Sequence, residues 1–188
     1  DEFALHGMDG ARVDRIAKQA GVNKAMLYYH FHSKEQLYEA VVKEFYLSVA
    51  ARFRRKIGDL ESLEEALSEV AETHVQLLSQ SPGILPILLR ELANPDSTLC
   101  NWIAQTIGSS GVTAIAHRRL GEAMQAGEYR RVDITHAMTS FIAMSMGYFL
   151  LAPLIDRVWD ITDRQAFINE RKKIIVDLFL NGLRAKPI

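Results

Sequence analysis

The sequence predicts an all-α protein of about nine helices, a small head of short helices followed by a larger helical body. Three observations carry that expectation. Apolar residues recur at spacings of three and four from Val13 onward. No stretch alternates apolar and polar residues as a half-buried strand does, and no internal repeat or low-complexity segment occurs. Capping pairs stand where apolar stripes begin: Ser33 with Gln36, Ser62 with Glu65, and Thr162 with Gln165.

The chain opens partway into a first helix. Val13, Ile16, Ala17 and Ala20 then place one apolar stripe on a short second helix. Gly21 ends it, because glycine reaches the left-handed conformation a helix end prefers. Asn23 is placed to cap a third helix over residues 24–30. Leu27 and Phe31, four apart, face inward. At about 100° per residue, Ala25, Met26 and Tyr29 then point outward, flanked by Lys24, Tyr28 and His30. Helix, glycine turn and helix is the composition of a DNA-binding helix-turn-helix. Two adjacent tyrosines beside a small and an unbranched residue suit a duplex groove, which needs phosphate donors and an apolar patch for thymine methyls.

Ser33-Lys34-Glu35-Gln36 starts a long helix that runs to about residue 56. Lys34 falls in its first turn, where a cation is unfavourable until a phosphate is brought to the same spot. Leu37, Val41, Phe45, Val49 and Phe53 form the apolar line of this helix, widened by Tyr38, Val42 and Tyr46. Arg52, Arg54, Arg55 and Lys56 suit its C-terminal end. Gly58-Asp59 breaks the chain. Leu63, Leu67, Val70, His74 and Leu77 or Leu78 share a face of the next helix, which Ser81-Pro82-Gly83 ends. Residues 84–93 form a short apolar helix closed by Asn94-Pro95. Residues 96–126 are helical, with a weak spot at 108–111 and Gly127 as terminator. Asp133 caps a helix over 134–151 that Pro153 ends or kinks. The last helix, to about residue 184, carries Ile174, Ile175, Leu178, Phe179 and Leu183, a wider apolar face than a terminal surface helix needs. The boundary between head and body lies inside the long helix, giving a DNA-binding domain at 1–46 and a second domain at 47–188.

The bulk numbers fit a soluble globular chain of 188 residues, 48% hydrophobic and 24% charged. The net charge of −1 gives no global attraction to nucleic acid. Residues 11–34, however, hold five cations (Arg12, Arg15, Lys18, Lys24, Lys34) against the single anion Asp14. A basic patch on a neutral chain suits specific DNA binding. Cys100 is the sole cysteine, so no intrachain disulfide or thiolate cluster exists, and a reducing, cytoplasmic setting is expected without a leader peptide. The longest apolar run, 141–155, is too short to span a bilayer and contains Ser145, Gly147 and Pro153, so a buried helix and no membrane are expected.

No phosphate loop, nucleophile elbow or zinc helix occurs, so catalytic residues, metal and cofactor are all expected to be absent. His30 and His32, two apart, do not converge on a metal. His74 on an apolar face is either a hydrogen-bonded core histidine or a polar handle in an effector pocket. Trp102, Met138, Phe141 and Tyr148, with Met144, Met146 and Phe149, either line such a pocket or fill a core. Methionine adapts to varied ligands, which points to an apolar or aromatic effector. Ala143 and Gly147 permit close helix approach. With Ile174, Ile175, Leu178 and Phe179 they fit a four-helix interface between two copies.

The segment FALHGMDGARVDRIAKQAGVNKAMLYYHFHSKEQLYEAV resembles the N-terminal DNA-binding domain of the TetR family of bacterial transcriptional regulators. The matching residues are Gly7, Val13, Ile16, Ala17, Ala20, Gly21, Val22, Leu27, Tyr28, Tyr29, His30, Phe31, Ser33, Lys34, Glu35 and Leu37. The resemblance is detailed over the first quarter of the chain and otherwise only architectural. It implies an all-helical homodimer, a divergent C-terminal domain that often binds a small effector, and usually repression. One departure is local: the family's Thr or Ser opening the second helix is replaced by Ala11 and Arg12, so a cap is lost and a phosphate-seeking cation gained.

The reading is therefore a dimeric transcriptional repressor. Residues 24–30 enter the major groove of a palindromic duplex. Arg12, Lys24, Tyr28, His30 and Lys34 serve phosphates, and Ala25, Met26 and Tyr29 face base edges. An effector in the second domain changes the separation of the two heads. Two other classes stand beside it: a regulator without an effector, and a helical carrier or enzyme that keeps the head as a relic.

Overall fold

The computed structural model describes residues 1–57, 60, 62–81, 83–94, 96–109 and 111–184. These residues form ten helices and no strand, only an isolated bridge between Tyr129 and Arg184. In chain order they are α1 (Glu2–Gly10), α2 (Val13–Ala20), α3 (Lys24–Phe31), α4 (Lys34–Ile57), α5 (Leu63–Gln80), α6 (Ile84–Leu92), α7 (Thr98–Ser109), α8 (Val112–Gln125), α9 (Ile134–Val158) and α10 (Arg164–Leu183). The tenth helix arises because the stretch expected as one helix over 96–126 is two, α7 ending at Ser109 and α8 starting at Val112 after Gly111 at φ 78°. Gly58, Asp59, Pro82, Pro95 and Ser110 of the expected breaks, and the side chain of Lys56, lie outside the described residues.

Several local signals act as the sequence predicts. Asn23 Oδ1 accepts the Ala25 N–H at 2.9 Å, and Asp133 Oδ1 accepts that of His136 at 2.9 Å. Ser62 and Glu65 form both bonds of a capping box. Others are corrected. The cap of α10 is Asp163, which accepts the Ala166 N–H at 2.9 Å, rather than the neighbouring Thr162. α9 does not stop near residue 151 but runs through Pro153 to Val158. A proline removes one backbone bond, and here it sits on the exposed side while Phe149 and Ala152 are buried beside it. The buried line of α4 is Tyr38, Val42, Tyr46 and Ala50, closed by Leu37 and Phe53, whereas Val41 is exposed. With so wide an apolar arc, spacing alone leaves the facing line one residue uncertain. Ala20 at the end of α2 is exposed as well.

Contacts group residues 1–50 with 81–107, and residues 51–80 with 108–188. The division expected at residue 46 falls instead after residue 50, and residues 81–107, carrying α6 and nearly all of α7, go with the head. In that unit Phe3 stacks edge-on against Tyr38 at 5.2 Å. The Tyr38 hydroxyl donates to Glu91 Oε1 at 2.7 Å, and Ser97 Oγ donates to Glu91 Oε2 at 2.5 Å. α1 is interrupted at Gly7, which takes φ 69°. The Arg90 guanidinium lies 3.4 Å from where a Cβ on Gly7 would stand, and its Nη1 donates to the Phe3 carbonyl at 3.3 Å. The positive φ is what calls for glycine there, since a Cβ would only touch the guanidinium.

In the other unit α5 packs against α8, α9 and α10, and α9 packs against α8 and α10. Phe141, Ser145 and Tyr148 on α9, Leu120 on α8, Thr73 on α5 and Ile175 on α10 are fully buried. Lys172 pairs with Glu72 across α10 and α5. The carboxyl of Glu72 is held below the usual range by the Lys172 and Gln76 bonds, which outweigh its desolvation together. α9 is long and apolar enough to cross a bilayer by length and composition, yet only 28% of its most apolar stretch is buried. One face is a core face packed on three helices, and the other is apolar and uncovered.

Candidate nucleic-acid interface

The head builds its surface from three helix ends. Gly21 caps α2 in the left-handed region at φ 68°, and the Val22 N–H returns to the Ala17 carbonyl at 3.0 Å. That tight turn feeds α3, on which no residue is fully buried. Leu27 and Phe31 are half-buried and seat the helix, as their spacing predicts. The opposite face stands in solvent, with Tyr29 at 78% exposure, Met26 at 51% and Tyr28 at 41%. Ala25 and His30 are exposed beside them, and the His30 ring meets Tyr29 edge-on at 5.3 Å.

A surface groove of about 590 Å³ runs where the start of α2, the first turn of α3 and the start of α4 converge. Arg12, Lys24, Lys34, Tyr28 and His32 line it together with the carboxylates of Asp14 and Glu35. Lys24 Nζ pairs with Asp14 at 2.9 Å, which holds its pKa above the usual lysine value, and lies 5.9 Å from the centre of the Tyr28 ring. Lys34 Nζ donates to the Asp9 carbonyl at 3.0 Å. A neutral carbonyl positions that ammonium without cancelling its charge, so the site keeps its attraction for phosphate. Ser33 Oγ accepts the Gln36 N–H at 3.1 Å and starts α4, while the Ser33 N–H turns back to the Phe31 carbonyl. Cations, a phenol and a helix N-terminus around one groove are groups able to meet an anion, and an exposed apolar and aromatic face stands beside them.

Sequence reasoning missed Glu2. It is 4% exposed, and its Oε1 accepts the Arg12 N–H at 3.0 Å. The contact joins residues ten apart on different helices, so no local spacing signals it.

The candidate effector residues do not come together as one set. Trp102 belongs to the unit of the head, half-buried with Lys43 Nζ 5.7 Å from its ring centre. The other four lie in the second unit. Phe141 is fully buried and stacks on Phe179 at 5.0 Å. Tyr148 is fully buried; its hydroxyl donates to Asp156 at 2.8 Å and accepts from Arg164 at 3.2 Å. Met138 is half-buried. His74 Nδ1 stands 2.9 Å from Ser145 Oγ, and that hydroxyl donates to the Ile142 carbonyl at 3.0 Å. Ser145 has one hydroxyl hydrogen to give, so Nδ1 of His74 donates to it when that hydrogen goes to the Ile142 carbonyl and accepts it otherwise. Burial pushes the His74 pKa down to about 4. A depression of about 560 Å³ in this unit is lined instead by Arg130, His136, Met144, Leu178, Phe179 and Leu183 among others, and by none of the five.

The candidate dimer residues divide between two faces. Ala143, Ile174 and Leu178 are exposed, and Gly147 has open space around its Cα. Ile175 and Phe179 are instead buried inside their own unit, so they are core residues here. Adjacent positions on a helix point about 100° apart, and an all-apolar quartet conceals which line faces inward. The exposed face extends further along α9 through Leu150, Leu151, Leu154 and Val158 to Trp159, which spacing arguments missed because α9 was expected to end earlier. Among the described residues, no group of three or more His, Cys, Asp or Glu is placed to hold a metal.

Residues 1–41 match the sequence model of the family described as bacterial regulatory proteins, tetR family. The chain is similar to the HTH-type transcriptional regulator UidR of Escherichia coli (strain K12), 25% identical over 154 residues that cover 81% of this chain and 75% of that one. It is likewise 25% identical to the regulator RutR of Escherichia coli (strain K12), over 99% of this chain and 87% of that one. Its fold is similar to that of the transcriptional regulator FadR from Bacillus subtilis in complex with stearoyl-CoA, with a TM-score of 0.70, 22% identity, and 97% and 94% of the two chains covered.

Proposed function

We propose, for a chain that belongs to the tetR family of bacterial regulatory proteins, that it is a dimeric, cytoplasmic repressor. A small and mainly apolar effector releases it from a palindromic operator. DNA binding in the service of transcription regulation is the shared function of its relatives, and none of those compared above is described as an enzyme. The observation that carries the reading is the uncovered face of α3 beside the groove that Arg12, Lys24 and Lys34 share with Asp14 and Glu35. Arg12, Lys24, Tyr28, His30 and Lys34 hold phosphates, and Ala25, Met26 and Tyr29 read base edges. The dimer forms through the exposed line of α9 and α10, with Ala143, Gly147, Ile174 and Leu178 at its centre. The effector sits in the second unit, with His74 as its candidate polar anchor. An acyl chain of the kind carried by stearoyl-CoA, the ligand of the FadR structure, falls within this apolar class.

One observation favours a second reading, a regulator without a small-molecule effector: Phe141 and Tyr148 are already covered by their own neighbours. Selection of bound sequences from a random duplex pool tests the main proposal. The expected result is an inverted repeat whose half-sites lie about one helical turn apart, or a multiple of it. No enrichment, or enrichment of a lone half-site, would refute it. Titration of acyl-CoA thioesters against free coenzyme A into the selected complex then separates the two readings.

A further inference from the structure

We propose that Glu2 is a positioning residue for DNA binding: a carboxylate on α1 that fixes the start of α2 and so sets where Arg12 meets the duplex. The proposal rests on the phosphate role given to Arg12 above.

A helix start needs acceptors for its free N–H groups. In a capping box, the residue at the cap accepts one N–H, and an acidic residue three positions on accepts the N–H of the cap itself. α2 has neither local acceptor. Arg12 stands at its cap position without a side-chain cap bond, and Arg15 stands three residues later, where the Glu or Gln belongs. Glu2 supplies the missing acceptor from another helix: its Oε1 takes the Arg12 N–H at 3.0 Å. Arg15 Nη1 lies 3.9 Å from the same oxygen, and His6 Nε2 lies 3.8 Å from Oε2. His6 Nε2 is also 3.4 Å from Arg15 Nη1.

Glu2 is 4% exposed, and a carboxylate that is not paired and hydrogen-bonded does not stay buried without large cost. Its partners here are one backbone N–H, the positive end of α2 and the Arg15 guanidinium, with the His6 ring beside them. Each belongs to the head, and the N–H belongs to the residue whose side chain lines the groove with Lys24 and Lys34. Arg12 therefore projects from a backbone held at its own nitrogen.

A double-mutant cycle on the full chain tests this, with fluorescence-detected binding to a mixed-sequence duplex and to the site selected from a random pool. Arg12→Ala alone lowers affinity for both, and an unchanged affinity would refute the phosphate role and, with it, any action of Glu2 through it. Glu2→Ala in the wild-type background lowers affinity about fivefold, the equivalent of a lost helix cap. In the Arg12→Ala background the same change costs less than about twofold, because the group it positions is gone. Glu2→Gln, whose amide oxygen still accepts the Arg12 N–H, stays within about twofold of wild type. Equal losses from Glu2→Ala in both backgrounds would make Glu2 a general support of the head and overturn the proposal while leaving the Arg12 reading intact. A Glu2→Gln loss as large as that of Glu2→Ala would also overturn it. If Glu2→Ala does not fold, Glu2→Asp, which keeps the charge and shortens the reach, carries the same cycle with the same two readings.

Discussion

Replacing Leu178 with glutamate separates the surface of the second unit from its core. Leu178 is 58% exposed in the single chain, whereas Phe179 beside it is 7% exposed. Fully burying a leucine is worth about 1.5–3 kcal/mol, so a side chain with just over half its surface uncovered stands to gain about 1 kcal/mol, and about 2 kcal/mol over two symmetric copies. A carboxylate forced into the same dry contact costs several kcal/mol more. Together these terms weaken self-association by about 5 kcal/mol or more, roughly four orders of magnitude in the dimer constant. The folded protomer loses only about 1 kcal/mol, the share of Leu178 that its own unit already covers. Sedimentation velocity across a concentration series, beside thermal unfolding followed by circular dichroism, reads both quantities. The expected outcome for Leu178→Glu is a folded monomer with little affinity for a palindromic duplex. Phe179→Glu serves as contrast: it removes a ring 5.0 Å from that of Phe141 and should unfold the unit outright. A wild-type monomer, or a Leu178→Glu dimer of normal strength, would show that the exposed line of α9 and α10 is not where two copies meet.

Further outcomes follow from the head and from His74. Tyr29→Ala should cost about 1–3 kcal/mol on the selected site and less on random duplex, with equal losses marking it as a backbone contact. Lys34→Ala should weaken binding to all sequences alike and reduce the log–log salt slope by about one, and an unchanged slope would remove it from the phosphate set. The His74 pKa is lowered from 6.5 to about 4, so the unfolded chain binds the extra proton first as pH falls. Stability from this group is complete above pH 6.5 and is lost as pH drops towards 4. His74→Gln should flatten the melting temperature across that window, and an equally steep profile in the variant would assign the loss to other groups.

The helix-turn-helix was legible because its determinants are local. Gly21, Asn23 and the Leu27–Phe31 spacing act within a few residues, and the exposed face of α3 follows from them by rotation alone. Non-local determinants were not legible. Glu2 reaches Arg12 across ten residues, and Arg90 and Glu91 reach Phe3 and Tyr38 across 87 and 53. For Ile174, Ile175, Leu178 and Phe179 of α10 the sequence pattern does not show which pair faces the core, since both lines satisfy the same period. Trp102 was grouped with His74 by residue type, and only the fold separates them into different units.

The grouping of residues 81–107 with residues 1–50 has a consequence for recombination between relatives. A DNA-reading module cut after the first fifty residues leaves Tyr38 without the carboxylate its hydroxyl serves, and Gly7 without the guanidinium packed on it. The transferable part is discontinuous: it consists of the N-terminal segment together with α6 and α7, which return to it after a separate helix has been laid down in the other unit. Chimeras that exchange both pieces from one parent keep the Glu91 and Arg90 contacts intact. Chimeras that exchange only the contiguous head join a foreign α6 to a surface shaped for this one.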